Sequence, residues 1–332
     1  MIDPKNMDEF LYWWEHLPLS LDPVAFNFGS IEIGWYSLMY LVGFLVVYVL
    51  LVYRIRFDSI QELSSSSTED SFVPLNSLIV DFLFYAFIGL LIGARLGYVL
   101  FYNPGHYWEN PLAIISPFNR AGELVGIYGM SYHGGVIGIF IASYFFLRKH
   151  RVHPVKSAEG GAASPQFDGV NFWAWSDFIV PAVPAGYFFG RIGNFLNGEL
   201  YGRIAVSRWG MYFPDNPYIT RHPSQLYEAV LEGLLLFIIL WLLRNKKLLQ
   251  GKFLGLYFIG YSIARFIAEF WREPDEQIGF VFWFFTLGQL FSVAMLAAGL
   301  ILLFNFNKKS YNIIDEKNTK RTNDRQHKTK KY

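Results

Sequence analysis

The chain has no cysteine among its 332 residues. That excludes disulfides, thiolate metal sites and a thiol nucleophile supplied by the protein itself. Charge is scarce: Lys, Arg, Asp and Glu make up 17% of residues, and 28 basic against 27 acidic residues leave a net charge of +1. With so small a sum, the distribution of charge carries the information. Phosphate-loop and dinucleotide fingerprints are missing, because the glycines from Gly186 to Gly193 follow no strand. A metal-ligand motif is missing too, since only His133 and His222 approach carboxylates on one side of the chain. Neither a metal nor any other cofactor is therefore expected. Residues 1–30 lack the pattern of a secretory leader, carrying Asp3, Asp8, Glu9 and Glu15. The first apolar run is expected to remain as an anchor. No internal repeat is evident.

What is present is apolar and aromatic. Hydrophobic residues form 53% of the chain, and 33 Phe, 21 Tyr and 10 Trp suit the aromatic belts of membrane spans. A span needs about 20 apolar residues. Segments at roughly 34–53, 78–101, 132–147, 172–189, 225–243, 252–270 and 280–304 meet or approach that need. The pattern predicts an all-α integral membrane protein of seven transmembrane helices. Residues 1–307 read as one polytopic domain. Residues 308–332 read as a basic, disordered tail whose partner is anionic membrane lipid rather than nucleic acid.

Orientation follows from Lys and Arg in alternate loops. The loops after spans one, three and five together with the tail hold 19 such residues against 7 on the opposite side, and 10 against 7 without the tail. The expectation is an N-terminus outside and a C-terminus in the cytoplasm. Inserts at 58–77 and 150–170 then fall on the cytoplasmic side.

The most polar stretch of the apolar region is Gly190-Arg-Ile-Gly-Asn-Phe-Leu-Asn-Gly-Glu-Leu-Tyr-Gly202. Ionisable and amide groups at membrane depth are expensive and mark a site by default. Arg191, Asn194, Asn197 and Glu199 combine positive charge with hydrogen-bonding amides, a set suited to an anionic headgroup. Arg265, Glu269 and Arg272 stand at i, i+4 and i+7, on one helical face, with Glu269 able to pair both arginines. They either fix helix packing or hold a phosphate between them.

His133 opens His-Gly-Gly, where it is either a proton acceptor near neutral pH or an interfacial cap. Arg95, between Gly93 and Gly97, either serves a headgroup or snorkels to the interface. Asp177 either caps a helix or holds an arginine. Glu228 and Glu232, one turn apart after Ser224, read as the acidic first turn of a helix. Tyr36 reads as a belt aromatic.

These motifs, in this order, resemble the bacterial prolipoprotein diacylglyceryl transferases. The 190–202 stretch resembles the family's signature. His133-Gly-Gly, Arg221-His-Pro-Ser-Gln-Leu-Tyr-Glu228 and Arg265–Asp275 accompany it. The resemblance implies a multi-pass enzyme of the bacterial inner membrane with a small outward-facing head and an active site that faces outward. It would transfer the diacylglyceryl group of phosphatidylglycerol to the thiol of a prolipoprotein lipobox peptide. The same resemblance implies catalytic roles for His133, Arg191, Arg265 and Tyr36. Phosphatidylglycerol would be bound by Arg191, Asn194, Asn197, Glu199, Glu269, Arg272 and Arg95. His222, Asp177 and Glu228 match supporting positions.

Two other readings compete. A lipid transporter would use the charges as a permeation site, but such folds show paired halves with charges near the midplane. A scaffold protein leaves the grouping of Arg191, Arg265, Glu269 and Arg272 without a purpose.

Overall fold

The computed structural model describes residues 4–29, 31–58, 75–101, 104–116, 129–149, 172–274, 279–282 and 285–304. The expected inserts lie largely outside the described residues, and the basic tail wholly so. In chain order the helices are α1 (Pro4–Ser20), α2 (Trp35–Phe57), α3 (Leu75–Phe101), α4 (Pro104–Glu109), α5 (Tyr132–Lys149) and α6 (Phe172–Ile179). There follow α7 (Val183–Leu196), α8 (Ser224–Glu228), α9 (Leu236–Leu243), α10 (Phe253–Ala268) and α11 (Leu287–Phe304). The strands form three antiparallel pairs: β1 (Val24–Phe28) with β2 (Ile31–Gly34), β3 (Met211–Phe213) with β4 (Asn216–Arg221), and β5 (Phe280–Phe282) with β6 (Phe285–Thr286).

Helices occupy each segment expected to be apolar, and among the described residues four are long and apolar enough to cross a membrane. These are Trp35–Phe57, Asn76–Phe101, Ser224–Leu243 and Leu287–Phe304. The third is a continuous rod in which a π-helical segment, Ala229–Leu235, joins α8 to α9. On α2 the buried residues Gly43, Val47, Leu51 and Arg54 form one stripe, while Leu41, Leu45 and Val49 are exposed on another face. An apolar outer face of this kind is compatible with lipid and not with water.

Two expected boundaries change. The segment at 172–189 is interrupted by a 3₁₀ turn at Val180–Ala182 and then continues as α7 to Leu196. Pro181 and Pro184 explain the interruption, because a proline ring removes an N–H and crowds the preceding turn. The continuation brings Arg191 and Asn194 inside a helix. The segment at 280–304 begins as the β5–β6 pair, and its helix starts only at Leu287. Gly279, at a φ of 62°, introduces a Phe/Val run of high strand propensity.

The chain divides into two compact units. The first comprises Met1–Ser59 and Trp173–Tyr332. Within it Val180, Leu236, Leu240, Phe253 and Tyr261 form one buried cluster. A second joins Phe195, Met211 and Phe213 to Trp14, Leu17 and Leu21 from α1 and its end. Helix α1 is marked in the sequence only by Phe10, Trp14 and Leu17 at helical spacing. Helices α2 and α7 approach closely because glycines line their contact. A methyl added at Gly43 would lie 2.9 Å from the Gly186 carbonyl oxygen, and one at Gly193 would lie 3.3 Å from the Tyr36 Cα.

The end of this unit near Arg54 is fastened by charge. Asp58 accepts from Arg54 Nε at 2.9 Å, Arg244 Nε at 3.1 Å and Asn245 Nδ2 at 3.1 Å. Arg54 also donates to the carbonyls of Asp177 and Phe178. Asp177 in turn accepts the backbone N–H groups of Gly251 and Phe253, so it caps the start of α10 rather than its own helix.

The second unit, Ile60–Phe172, contains α3, α4 and α5. Gly89, Gly93 and Gly97 of α3 face Gly134 and Gly138 of α5, the small-residue spacing that lets two helices touch backbone to backbone. A methyl at Gly89 would sit 2.5 Å from the Gly138 oxygen. The glycine after His133 therefore serves helix packing. Arg95 of α3 donates to the carbonyls of Ile114 at 2.7 Å, Ala113 at 2.6 Å and Gly129 at 3.2 Å, and lies over the Tyr107 ring.

Candidate active site

Glu228, the last residue of α8, is wholly buried and faces three arginines. Its Oε2 lies 2.8 Å from Arg191 NH2 and 3.3 Å from Arg265 NH1, and its Oε1 lies 3.3 Å from Arg272 NH1. One turn on, Glu232 is also wholly buried. It lies 3.6 Å from Arg265 NH1 and accepts the Tyr187 hydroxyl at 2.5 Å. Glu269 completes the set, 2.7 Å from Arg265 NH2. Three guanidinium groups thus meet three carboxylates. Each ion would be costly to desolvate alone, and the mutual pairing makes their burial tolerable.

The surrounding elements hold these side chains in direction. Arg191 extends from α7, where Tyr187 and Asn194 share its face: its Nε donates to Tyr187 Oη at 2.8 Å and its NH1 to Asn194 Oδ1 at 3.3 Å. Asn194 Nδ2 donates to Glu199 Oε1 at 2.9 Å. Thr286 Oγ1 donates to Glu269 Oε1 at 2.9 Å, while Gln289 Oε1 accepts the Thr286 N–H. The β5–β6 pair, found where a span was expected, therefore orients a site carboxylate.

The turn after α7 is strained and fastened. Gly198 and Leu200 have φ of 69° and 59°. For Leu200 this left-handed backbone costs about 1–3 kcal/mol and persists only where its surroundings hold it. Ser224 Oγ donates to the Leu200 carbonyl at 3.0 Å, and Gln225 Nε2 to the Glu199 carbonyl at 2.5 Å. Gly202 bridges Arg272, and Arg203 Nε donates to the Arg272 carbonyl at 2.9 Å. Glycine is required at 202, because a methyl there would lie 2.9 Å from the His222 carbonyl oxygen. His222 approaches Tyr227 Oη at 3.2 Å, and burial lowers its pKa from the ordinary imidazole value.

Of the residues singled out from sequence, the structure brings together Arg191, Asn194, Glu199, Arg265, Glu269 and Arg272. Tyr36 packs beside Gly193, and its hydroxyl bonds Tyr40 at 3.1 Å. Asn197 is the exposed C-cap of α7. Arg95 belongs to the other unit. His133 lies in the first turn of α5, and its side chain is outside the described residues. The residue pattern gives Glu228 and Glu232 to an ordinary helix start, the family resemblance alone matches Glu228 to a supporting position, and neither marks Tyr187. The available signal was two carboxylates one turn apart within an apolar run, which is rare away from a charge partner.

Arginines with fixed planes, backed by buried carboxylates, offer geometry suited to a phosphate ester: bidentate donors that stabilise charge on a departing oxygen. The family model described as prolipoprotein diacylglyceryl transferase matches residues 23–305. A phosphatidylglycerol–prolipoprotein diacylglyceryl transferase of Chlorobaculum tepidum is 44% identical over 301 residues, covering 90% of this chain and 94% of its own. A protein of the same description from Wolinella succinogenes is 41% identical over 298 residues, covering 89% and 97% of the two chains. Another, from Rickettsia bellii, is 40% identical over 294 residues, covering 88% and 97%.

Proposed function

This chain belongs to the prolipoprotein diacylglyceryl transferase family, and from that premise we propose that it moves the diacylglyceryl group of phosphatidylglycerol to the thiol of a lipobox cysteine. The sulfur attacks the diacylglyceryl carbon that carries the phosphate. A C–S bond forms, the C–O bond breaks, and glycerol phosphate leaves with the electrons of that bond. The thiol supplies the nucleophile, in keeping with a chain that has no cysteine of its own.

The observation that carries this reading is the hold of Glu228 on Arg191, Arg265 and Arg272. Arg191 and Arg265 take the phosphate oxygens and stabilise the charge that grows on the leaving group. Glu269 and Arg272 hold that pair in plane, while Asn194, Glu199, Asn197 and Tyr36 border the headgroup. Arg95, whose donors meet three backbone carbonyls, is assigned to the scaffold. A thiol with a pKa of about 8.5 is mostly neutral at pH 7, so a base raises its reactivity. On the family resemblance alone, His133 is proposed as that base.

In the membrane we assign seven spans, an N-terminus outside and a cytoplasmic tail, with the arginine cluster towards the outer face of the bacterial inner membrane. The excess of Lys and Arg in alternate loops supports this direction. Single cysteines placed in each loop of the cysteine-free chain, probed with an impermeant maleimide, test it.

The reaction is tested by mass. Purified protein in phosphatidylglycerol vesicles should add one diacylglyceryl group to a lipobox peptide, and nothing to the same peptide with serine for cysteine. No mass gain, with lipid crossing the vesicle bilayer instead, would establish a transporter.

A further inference from the structure

Arg191 has five N–H donors, and among the described residues three of them find partners. Nε donates to Tyr187 at 2.8 Å, NH2 faces Glu228 at 2.8 Å, and NH1 donates to Asn194 at 3.3 Å. In a planar guanidinium this leaves one N–H on each terminal nitrogen. Such a pair suits two oxygens of one phosphate, whereas Nε is already engaged. Which edge of Arg191 meets a ligand is thus decided by the hydroxyl of Tyr187.

That hydroxyl is itself directed. Tyr187 donates to Glu232 Oε2 at 2.5 Å, so its lone pair is turned towards Arg191 Nε. Tyr187 stands one helical turn before Arg191 on α7, and its ring is crossed by the guanidinium, 5.0 Å from the centroid. Glu232 comes from the π-helical segment, whose Gly233 lies against Phe188: a methyl there would sit 2.8 Å from the Phe188 Cα. Only this close approach brings a carboxylate to the tyrosine. We propose that Tyr187 and Glu232 are positioning residues for the transfer, setting the Arg191 plane so that its terminal N–H pair receives the phosphate of the departing glycerol phosphate.

The inference rests on the function proposed above, and the experiment separates the two. The full-length enzyme and its Tyr187→Phe, Glu232→Gln, Glu232→Leu and Tyr187→Phe/Glu232→Leu variants are compared in phosphatidylglycerol vesicles with a lipobox peptide. Tyr187→Phe should lower kcat at least about tenfold, the scale of one hydrogen bond to a charged group, with the KM for peptide unchanged. Glu232→Leu, which also loses the 3.6 Å contact with Arg265 NH1, should be at least as slow, and the double variant should be no slower than Glu232→Leu alone, since the tyrosine acts through that carboxylate. Glu232→Gln loses the charge facing Arg265 but keeps an acceptor for the tyrosine, and should be faster than Glu232→Leu. If the parent transfers no lipid, the functional assignment fails. If the parent is active and Tyr187→Phe matches its kcat within twofold, the positioning role is overturned. Losses that multiply in the double variant, or a Glu232→Gln enzyme as slow as Glu232→Leu, would overturn it equally.

Discussion

Arg191 and Glu228 form a 2.8 Å ion pair in which the carboxylate is wholly buried. The two residues come from α7 and α8, separated by the strained turn and the β3–β4 pair. The carboxylate reaches Arg265 and Arg272 as well. One glutamate therefore sets the relative placement of three cations.

Glu228→Gln keeps the shape of the side chain and removes the charge. Three arginines then face two carboxylates, a net excess of positive charge, and removing one partner of a buried pair costs about 3 kcal/mol. The expected result is a lower unfolding midpoint by tryptophan fluorescence, together with loss of transfer activity. An unchanged midpoint would mean that the pairing is not structural.

Arg191→Lys tests the planar fork. Lysine keeps the charge and cannot span Tyr187, Asn194, Glu228 and a phosphate together. Transfer should slow about a hundredfold, the scale of losing one donor aimed at developing charge. Unfolding should shift little by comparison.

Gly138→Ala tests the α3–α5 contact. The new methyl meets the backbone of Gly89 and Gly93, and overpacking of this kind costs about 1–3 kcal/mol. Gly105→Ala is the control, because a methyl there meets nothing within 4 Å. The first variant should melt earlier than the parent and the second should match it.

Acid titration reads the Asp58 clasp. Burial alone would raise the Asp58 pKa, but donation from Arg54, Asn245 and Arg244 outweighs it and holds the carboxyl below its ordinary value. Its stabilising contribution is therefore complete above the unfolded value of about 3.9 and is lost as pH falls through the lower folded value. Asp58→Asn should be less stable than the parent at neutral pH. The gap between the two unfolding midpoints should narrow below about pH 4. A gap that stays constant with pH would remove the assignment.

Much of the architecture was legible because apolar runs in this chain are long and its charges few. Helices lie on every expected segment, and the polar 190–202 stretch led to a charged cluster. What escaped had local causes. Pro181 and Pro184 break a run that hydropathy reads as continuous, moving Arg191 from a loop into a helix. The aromatic residues of 280–286 are as apolar as a span, and only Gly279 and strand propensity mark them as a β-pair. Glu228 and Glu232 resemble a solvated first turn until the helix is known to be buried. Tyr187 looked like any aromatic of an apolar run, because the value of its hydroxyl depends on a carboxylate 45 positions away.

The α2–α7 contact has a reach beyond its own packing. Gly43 touches Gly186 backbone to backbone, five residues before Arg191 and so about 7.5 Å from it along the helix axis. A side chain placed at Gly43 would press on Gly186 and so on the helix that carries Arg191. Substitutions at Gly43 are then expected to slow transfer, although Gly43 stands on α2 and outside the charged cluster. Variation at such a distance would be misread as neutral by any survey confined to the residues around the arginines.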